Sequence, residues 1–415
     1  MKKLLAIILS ILIIIPSSIA LASDDYTSPI DEITKEEAYQ FADELKAMNL
    51  EEYDVTNRLI VSADKDIDYM DAIDVATGIE GLYVLQFPNA ETADEAYSYY
   101  DSLSYVNYVE YDVECENSLC SIDSENINLQ NTYTKNDFDF IPDCPSTVNQ
   151  NIDDAIKLLK RENIEMPEIR VGVIDSGISK TKITEDVLED GYSFLEGYSE
   201  NGTDDRYGHG TKVAGTIIIN SIDNIKLLPF QVYDSSGCSN LSNVVTAIYL
   251  GVSENCKILN CSIGIKTAVS STKNAFEEAV NYAVSQGCIC VASAGNDNIN
   301  LSETNQLPAS VKNSIAVGAI TQKKKITSFS NFGDGVDIYA IGSNMLSYDN
   351  NGTKVTNWLG TSAATPVISS ICALLITAKP DITVDEIKQL LIETGYSFNE
   401  ENQSDKDRII ADAYG

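Results

Sequence analysis

The chain has 415 residues, room for two or three domains, and its 44% hydrophobic content supports a packed core rather than wholesale disorder. The 63 acidic residues against 28 basic ones give a net charge of −35, which excludes the basic footprint of a nucleic-acid binder. A single histidine excludes a His-rich metal site, and nine cysteines cannot all pair within one chain.

The first segment reads as an export signal. Lys2 and Lys3 form a positive start, residues 4–15 are apolar, and Pro16 ends the run. Ala20-Leu21-Ala22 has the small-x-small pattern of a signal-peptidase site, which places cleavage after Ala22. The run falls short of the roughly 20 residues a spanning helix needs, and no cysteine follows the site to carry a lipid. The expectation is a secreted, extracellular protein with no stable membrane anchor after signal removal.

Charge divides the remainder. Residues 23–150 hold 30 acidic and 5 basic residues, a net of −25, whereas 151–415 hold 33 and 21, a net of −12. Residues 23–113 predict a small α+β domain, with strands over 58–62, 82–87 and 108–113 and an amphipathic helix over 91–103. Residues 114–149 are polar and acidic without periodicity and read as a linker. Residues 150–415 alternate apolar strands (169–174, 226–233, 257–262, 288–293, 314–318) with helices (240–253, 272–286, 363–378, 383–393). Such alternation predicts an α/β fold with a mainly parallel sheet covered on both faces. Thr383 and Glu386 form a capping box at the start of the last helix.

Four short segments carry candidate chemistry. Asp175 ends a buried strand in Val173-Ile174-Asp175-Ser176-Gly177, where α/β proteins place functional groups, although a turn-forming aspartate would look the same. His209, in Gly208-His209-Gly210-Thr211, is the one imidazole available as a general base near neutral pH. Ser362, in Gly360-Thr361-Ser362-Ala363-Ala364-Thr365-Pro366, opens an apolar helix as either an N-cap or a nucleophile, and Pro366 is expected in that helix's first turn. Asn296 ends Ala294-Gly295-Asn296 after another buried strand, as a turn residue or as a donor aimed at an oxyanion.

Each motif is modest alone. In the order Asp, His, Asn, Ser they resemble those of the subtilisin-like serine proteases, over about 150–415. The resemblance implies a subtilisin-like three-layer fold and a serine endopeptidase acting on extended polypeptides. Ser362 would be the nucleophile, His209 the general base and Asp175 its orienting carboxylate. Asn296 and the Ser362 N–H would form the oxyanion hole. Ser262-Ile263-Gly264 matches the segment that pairs with substrate, and Ala294-Gly295 would line the opposite side of the specificity pocket. Gln306-Leu307-Pro308 would contribute to its floor. Residues 23–113 resemble the family's inhibitory propeptide, an intramolecular inhibitor removed by a cut between about 114 and 150.

Departures from the family pattern are local. Lys212 stands where relatives often carry His or Ala, and Val367 follows Pro366 where relatives often have His. Residues 219–224 run straight into the next strand, leaving no room for the calcium loop of many subtilisins; no metal and no cofactor are expected. Cys288, Cys290 and Cys372 read as small core hydrophobes. Cys115 and Cys120 could pair in an oxidising setting, and free thiols otherwise point to a reducing habitat. Two alternatives stay open: a maturation protease with a narrow substrate range, and a catalytically silent binding module.

Overall fold

The computed structural model describes residues 30, 32–50, 57–116, 151–162, 164–266, 273–398 and 408–413. The expected signal segment and most of the expected linker, with Cys120 and Cys144, lie outside these.

Residues 32–111 build the small domain. Helix α1 (Lys35–Leu50) is opened by a capping box in which the Glu37 backbone N–H donates to Thr34 Oγ1 and the Thr34 N–H donates to Glu37 Oε2 at 2.8 Å. Strands β1 (Arg58–Ala63), β2 (Asp74–Ala76) and β3 (Leu82–Gln86) follow, then α2 (Ala90–Asp101), capped by Asn89, and β4 (Val106–Tyr111). The sheet order is β2-β3-β1-β4, with every neighbour antiparallel. Alternation along β1 sends Leu59, Val61 and Ala63 to a core closed by Ala93, Ala96 and Tyr100 of α2. Ile60, with Leu82 and Val84 of β3, points the other way and joins the larger core below.

The chain then continues as β5 (Glu114–Glu116), so the start of the expected linker is a strand rather than a tail. After α3 (Ile152–Arg161), β6 (Ile169–Asp175), β7 (Tyr192–Ser193) and α4 (His209–Ile219) begin the α/β unit. Next come β8 (Ile225–Gln231), β9 (Cys238–Asn240), α5 (Leu241–Ser253), β10 (Ile258–Cys261), β11 (Ile265–Lys266) and α6 (Asn274–Ser285). Strands β12 (Ile289–Ser293), β13 (Gln306–Leu307), β14 (Ile315–Ile320) and β15 (Ile338–Ile341) lead to the hairpin of β16 (Met345–Tyr348) and β17 (Lys354–Trp358). Helices α7 (Thr361–Ala378) and α8 (Val384–Thr394) and strands β18 (Tyr396–Phe398) and β19 (Arg408–Ile410) close the fold.

The main sheet runs β18-β19-β15-β14-β12-β10-β6-β8-β7, parallel throughout except at β18–β19. Strands β10, β12, β14 and β15 are buried along their whole length, as a sheet covered on both faces requires. Helix α4 packs on α7, and α5 packs on α6. Helix α7 is apolar nearly all round because it lies inside the molecule.

The small domain sits on α5 and α6. Helix α1 packs on α5 and β4 on α6. The Glu110 carboxylate accepts the Asn274 and Ala275 N–H groups at 2.7 and 3.2 Å, capping α6. Asp112 accepts the Ser242 N–H at 2.9 Å and the Ser242 hydroxyl at 2.6 Å, capping α5. Arg58 lies 3.5 Å from Asp112, and both are buried, so the pair balances its own charge. Burial still pushes the Asp112 carboxyl above its ordinary range, against the pull of Arg58 and Ser242.

Candidate active site

Asp175 is the last residue of β6 and is fully buried. Its carboxylate meets His209 Nδ1 at 2.8 and 3.0 Å through its two oxygens. It also accepts the Ser176 N–H at 2.7 Å, so the carboxylate cannot rotate freely. His209 opens α4 after Gly208, whose φ of +80° suits a residue without a side chain. Close approach explains Gly210 as well: a Cβ there would stand 3.1 Å from the Asp175 Cβ.

A second buried carboxylate holds this corner. Asp205 accepts the Gly208 N–H at 2.7 Å, the Thr211 N–H at 2.8 Å, the Thr211 hydroxyl at 2.5 Å and the Ser176 hydroxyl at 2.9 Å. Ser176 Oγ in turn accepts the Gly210 N–H at 3.0 Å. Asp205 thus caps α4 around His209 and ties it to the end of β6. Burial pushes its carboxyl above the usual aspartate value, opposed by the hydrogen bonds from Thr211, Gly208 and Ser176.

Ser362 lies in the first turn of α7. Gly360, at φ +129°, precedes that turn, and a Cβ on it would stand 3.0 Å from Ser362 Oγ and 3.5 Å from Asn296 Nδ2. These two polar atoms therefore flank one small space. Asn296 Oδ1 accepts the Thr361 N–H at 2.9 Å and the Thr361 hydroxyl at 3.1 Å, which leaves its Nδ2 as a spare donor. His209 Nε2, Asn296 Nδ2 and Ser362 Oγ are all buried without a partner among the described residues. Buried polar atoms are ordinarily paired, so these three are open to a further partner; two of them flank Gly360, and the third belongs to a ring that packs on Trp358, four residues before Ser362.

One expectation is corrected here. Helix α7 starts at Thr361, not 363, so Pro366 lies inside the helix rather than in its first turn. Pro366 has no N–H to give to the Ser362 carbonyl four residues back. That carbonyl accepts the Ser262 hydroxyl at 3.1 Å instead. Asn260 donates to Ser262 Oγ at 2.8 Å, and Ser369 donates to Asn260 at 2.8 Å, so a buried polar chain ties β10 to the Ser362 turn. Ser262-Ile263-Gly264 follows directly from β10, and the Ile263 carbonyl accepts Ser293 Oγ at 2.8 Å. Ala294 and Gly295 are held by Asn331, whose Nδ2 donates to the Ala294 carbonyl at 2.7 Å, and by the Gly295 N–H to Thr361 Oγ1 bond at 3.2 Å. The structure thus brings Asp175, His209, Asn296, Ser362 and both expected substrate segments to one region.

Sequence reasoning missed Asp205 and Trp358. The indole of Trp358 meets the His209 ring edge-on at 5.2 Å, and Lys212 Nζ lies 5.6 Å from the indole centroid. Lys212 is thus partly exposed and packed on an aromatic face rather than free in solvent. Trp358 is the sole tryptophan and stands four residues before Ser362, a signal that was available.

The pattern of the subtilase family matches residues 167–415. Subtilisin DY of Bacillus licheniformis is 30% identical over 60% of this chain and 94% of its own length. Subtilisin Savinase of Lederbergia lenta is 33% identical over 59% of this chain and 90% of its own. The thermophilic serine proteinase of Bacillus sp. strain AK1 is 34% identical over 54% of this chain and 55% of its own length. Among solved structures, a cold-adapted subtilisin-like serine proteinase superposes with a TM-score of 0.54 at 26% identity, over 60% of this chain and 90% of that one. A lanthipeptide protease, at 22% identity and a TM-score of 0.58, shares the fold over 65% of this chain. The chain belongs to the subtilase family of serine endopeptidases.

Proposed function

We propose that this is a secreted endopeptidase, made as a self-processing zymogen, that uses Asp175, His209 and Ser362 with Asn296 as oxyanion donor. The observation that carries the reading is the buried Asp175–His209 contact at 2.8 Å, with His209 Nε2, Ser362 Oγ and Asn296 Nδ2 each left without a partner among the described residues. A serine hydroxyl is a weak nucleophile and needs a neighbouring base. His209 Nε2 takes the Ser362 proton as Oγ attacks the peptide carbonyl, and Asp175 stabilises the imidazolium through Nδ1. Negative charge on the carbonyl oxygen is met by Asn296 Nδ2 and the Ser362 N–H at the positive end of α7. The imidazolium then protonates the leaving amine, and a water repeats the sequence on the acyl-enzyme.

The zymogen part rests on β5. Its residues pair antiparallel with β9, Cys115 opposite Ser239, and it touches β11, the continuation of Ser262–Gly264. A segment of the chain's own N-terminal third therefore lies as an added strand beside the segments expected to hold substrate. Export rests on the sequence of residues 1–22.

Two proteins test the reading: the chain without its signal, as wild type and as Ser362→Ala. Wild type should cut itself between 114 and 150 and then hydrolyse an unfolded protein, while the variant folds and stays whole. Equal processing of both, or none in either with no hydrolysis, would reject it.

A further inference from the structure

Trp358 is the last residue of the β16–β17 hairpin, where it stands opposite Met345, and both side chains are buried. The hairpin is fastened to α4 by contacts that do not involve the indole. Ser347 Oγ donates to the Lys212 carbonyl, Asn350 Nδ2 donates to the Asp205 carbonyl at 3.2 Å, and a Cβ on Gly215 would stand 3.0 Å from the Tyr348 nitrogen. The indole itself meets the His209 ring at 5.2 Å and an interplanar angle of 74°, the geometry of a favourable edge-to-face pair. Lys212, three residues after His209, sets its ammonium 5.6 Å from the centroid of the same indole. The indole N–H is buried with no partner among the described residues, so ring contacts rather than a hydrogen bond hold the side chain.

We infer that Trp358 is a positioning residue, which fixes the orientation of the His209 imidazole so that Nε2 can serve Ser362. The inference rests on the proposed protease activity. Asp175 grips the ring at one atom, Nδ1. The torsion that turns a histidine ring is broad, so a grip at one atom leaves the ring free to swing. Nε2, the atom that must take the Ser362 proton, has no partner of its own among the described residues. The indole supplies the second restraint: it is large and stiff, and the hairpin and Lys212 fix it in turn. A general base out of place by an ångström loses about 10²-fold in rate. Because the indole acts through His209, its effect belongs to kcat and is the same whatever lies past the cut bond.

The test is steady-state kinetics of wild type, Trp358→Leu and Trp358→Phe on two substrates: a peptide anilide, which has no residue after the cut bond, and a peptide that spans it. Trp358→Leu should lower kcat by about 10- to 100-fold on both substrates with little change in KM, and Trp358→Phe, which keeps an aromatic ring, should restore most of the loss. An unchanged kcat in Trp358→Leu, or a loss seen only with the spanning peptide, would overturn the inference while leaving the protease reading intact. No cleavage by wild type at all would overturn both. Should Trp358→Leu fail to fold, the chain's one tryptophan and one histidine supply a second readout. A protonated imidazole quenches a touching indole, so the emission of folded Ser362→Ala should fall as pH is lowered through the imidazole's titration, and adding His209→Gln should abolish that fall. Emission indifferent to His209 would overturn the inference.

Discussion

At the residue scale, the site depends on atoms kept free by neighbours that are not. Asn296 is oriented by giving its oxygen to Thr361, so its nitrogen is committed to whatever oxygen charges beside Ser362. Asn296→Ala should therefore lower kcat by about 10²–10³ with little change in KM, the size known for such a donor in this family, as steady-state kinetics on a peptide substrate would show. A loss confined to KM would move Asn296 out of the oxyanion hole. The residues proposed to carry chemistry were legible because each sits in a short motif of glycines and small residues at a strand or helix end. Asp205 was not legible as a support, because its partners Ser176, Gly208 and Thr211 come from two separate motifs.

At the element scale, the contact between the small domain and helix α6 carries acids that resist ionisation. Burial raises Glu110 to about 7 against the opposing hydrogen bonds of Asn274 and Ala275, and Glu277 adds to the rise. Burial likewise raises Glu278 to about 7, with Tyr108 and Ser62 of the small domain facing it. Once the domains separate, both acids return towards the ordinary 4.5. The contribution of each to association is therefore complete below 4.5 and is lost as pH rises through 7, by up to about tenfold per unit between those limits. Processed protein should keep its N-terminal fragment at pH 5 and shed it at pH 8, with a flatter response in Glu278→Gln; gel filtration at the two values would show it, and equal retention would dismiss it. The buried parallel strands were legible because they are continuous apolar runs. Helix α1 went unassigned, although Ala38, Phe41, Ala42, Leu45 and Met48 follow helical spacing and are all buried. Strands β15 to β19 went unassigned because they are short and defined by distant partners.

At the scale of the whole molecule, charge is unevenly shared. The N-terminal third at −25 is held on a domain at −12 by apolar packing and by the buried caps, while the overall charges repel. Cutting the chain leaves that repulsion to help the fragment depart, so raising salt should slow release; release measured by gel filtration at low and high salt would settle it, and no effect would remove the electrostatic term. The seven described cysteines are free and six are buried, so among them none staples the fold. Cys115, which could pair with Cys120 in an oxidising setting, is free and donates to the Val113 carbonyl at 3.3 Å; Cys120 lies outside the described residues. The division into two regions was legible from charge alone, but their large shared core was not, because sequence does not show which face of the small sheet is left uncovered.

The two caps on α5 and α6 come from one strand and its end. Glu110 and Asp112 stand two positions apart, and residues so placed lie about 6.5 Å apart on one side of a strand. A single stretch of backbone therefore works as a gauge block for the gap between two helix ends. Helices set at any other spacing can satisfy one carboxylate but not both. Strand β10, which joins α5 to α6 and runs on into Ser262–Gly264, is placed by the same measurement.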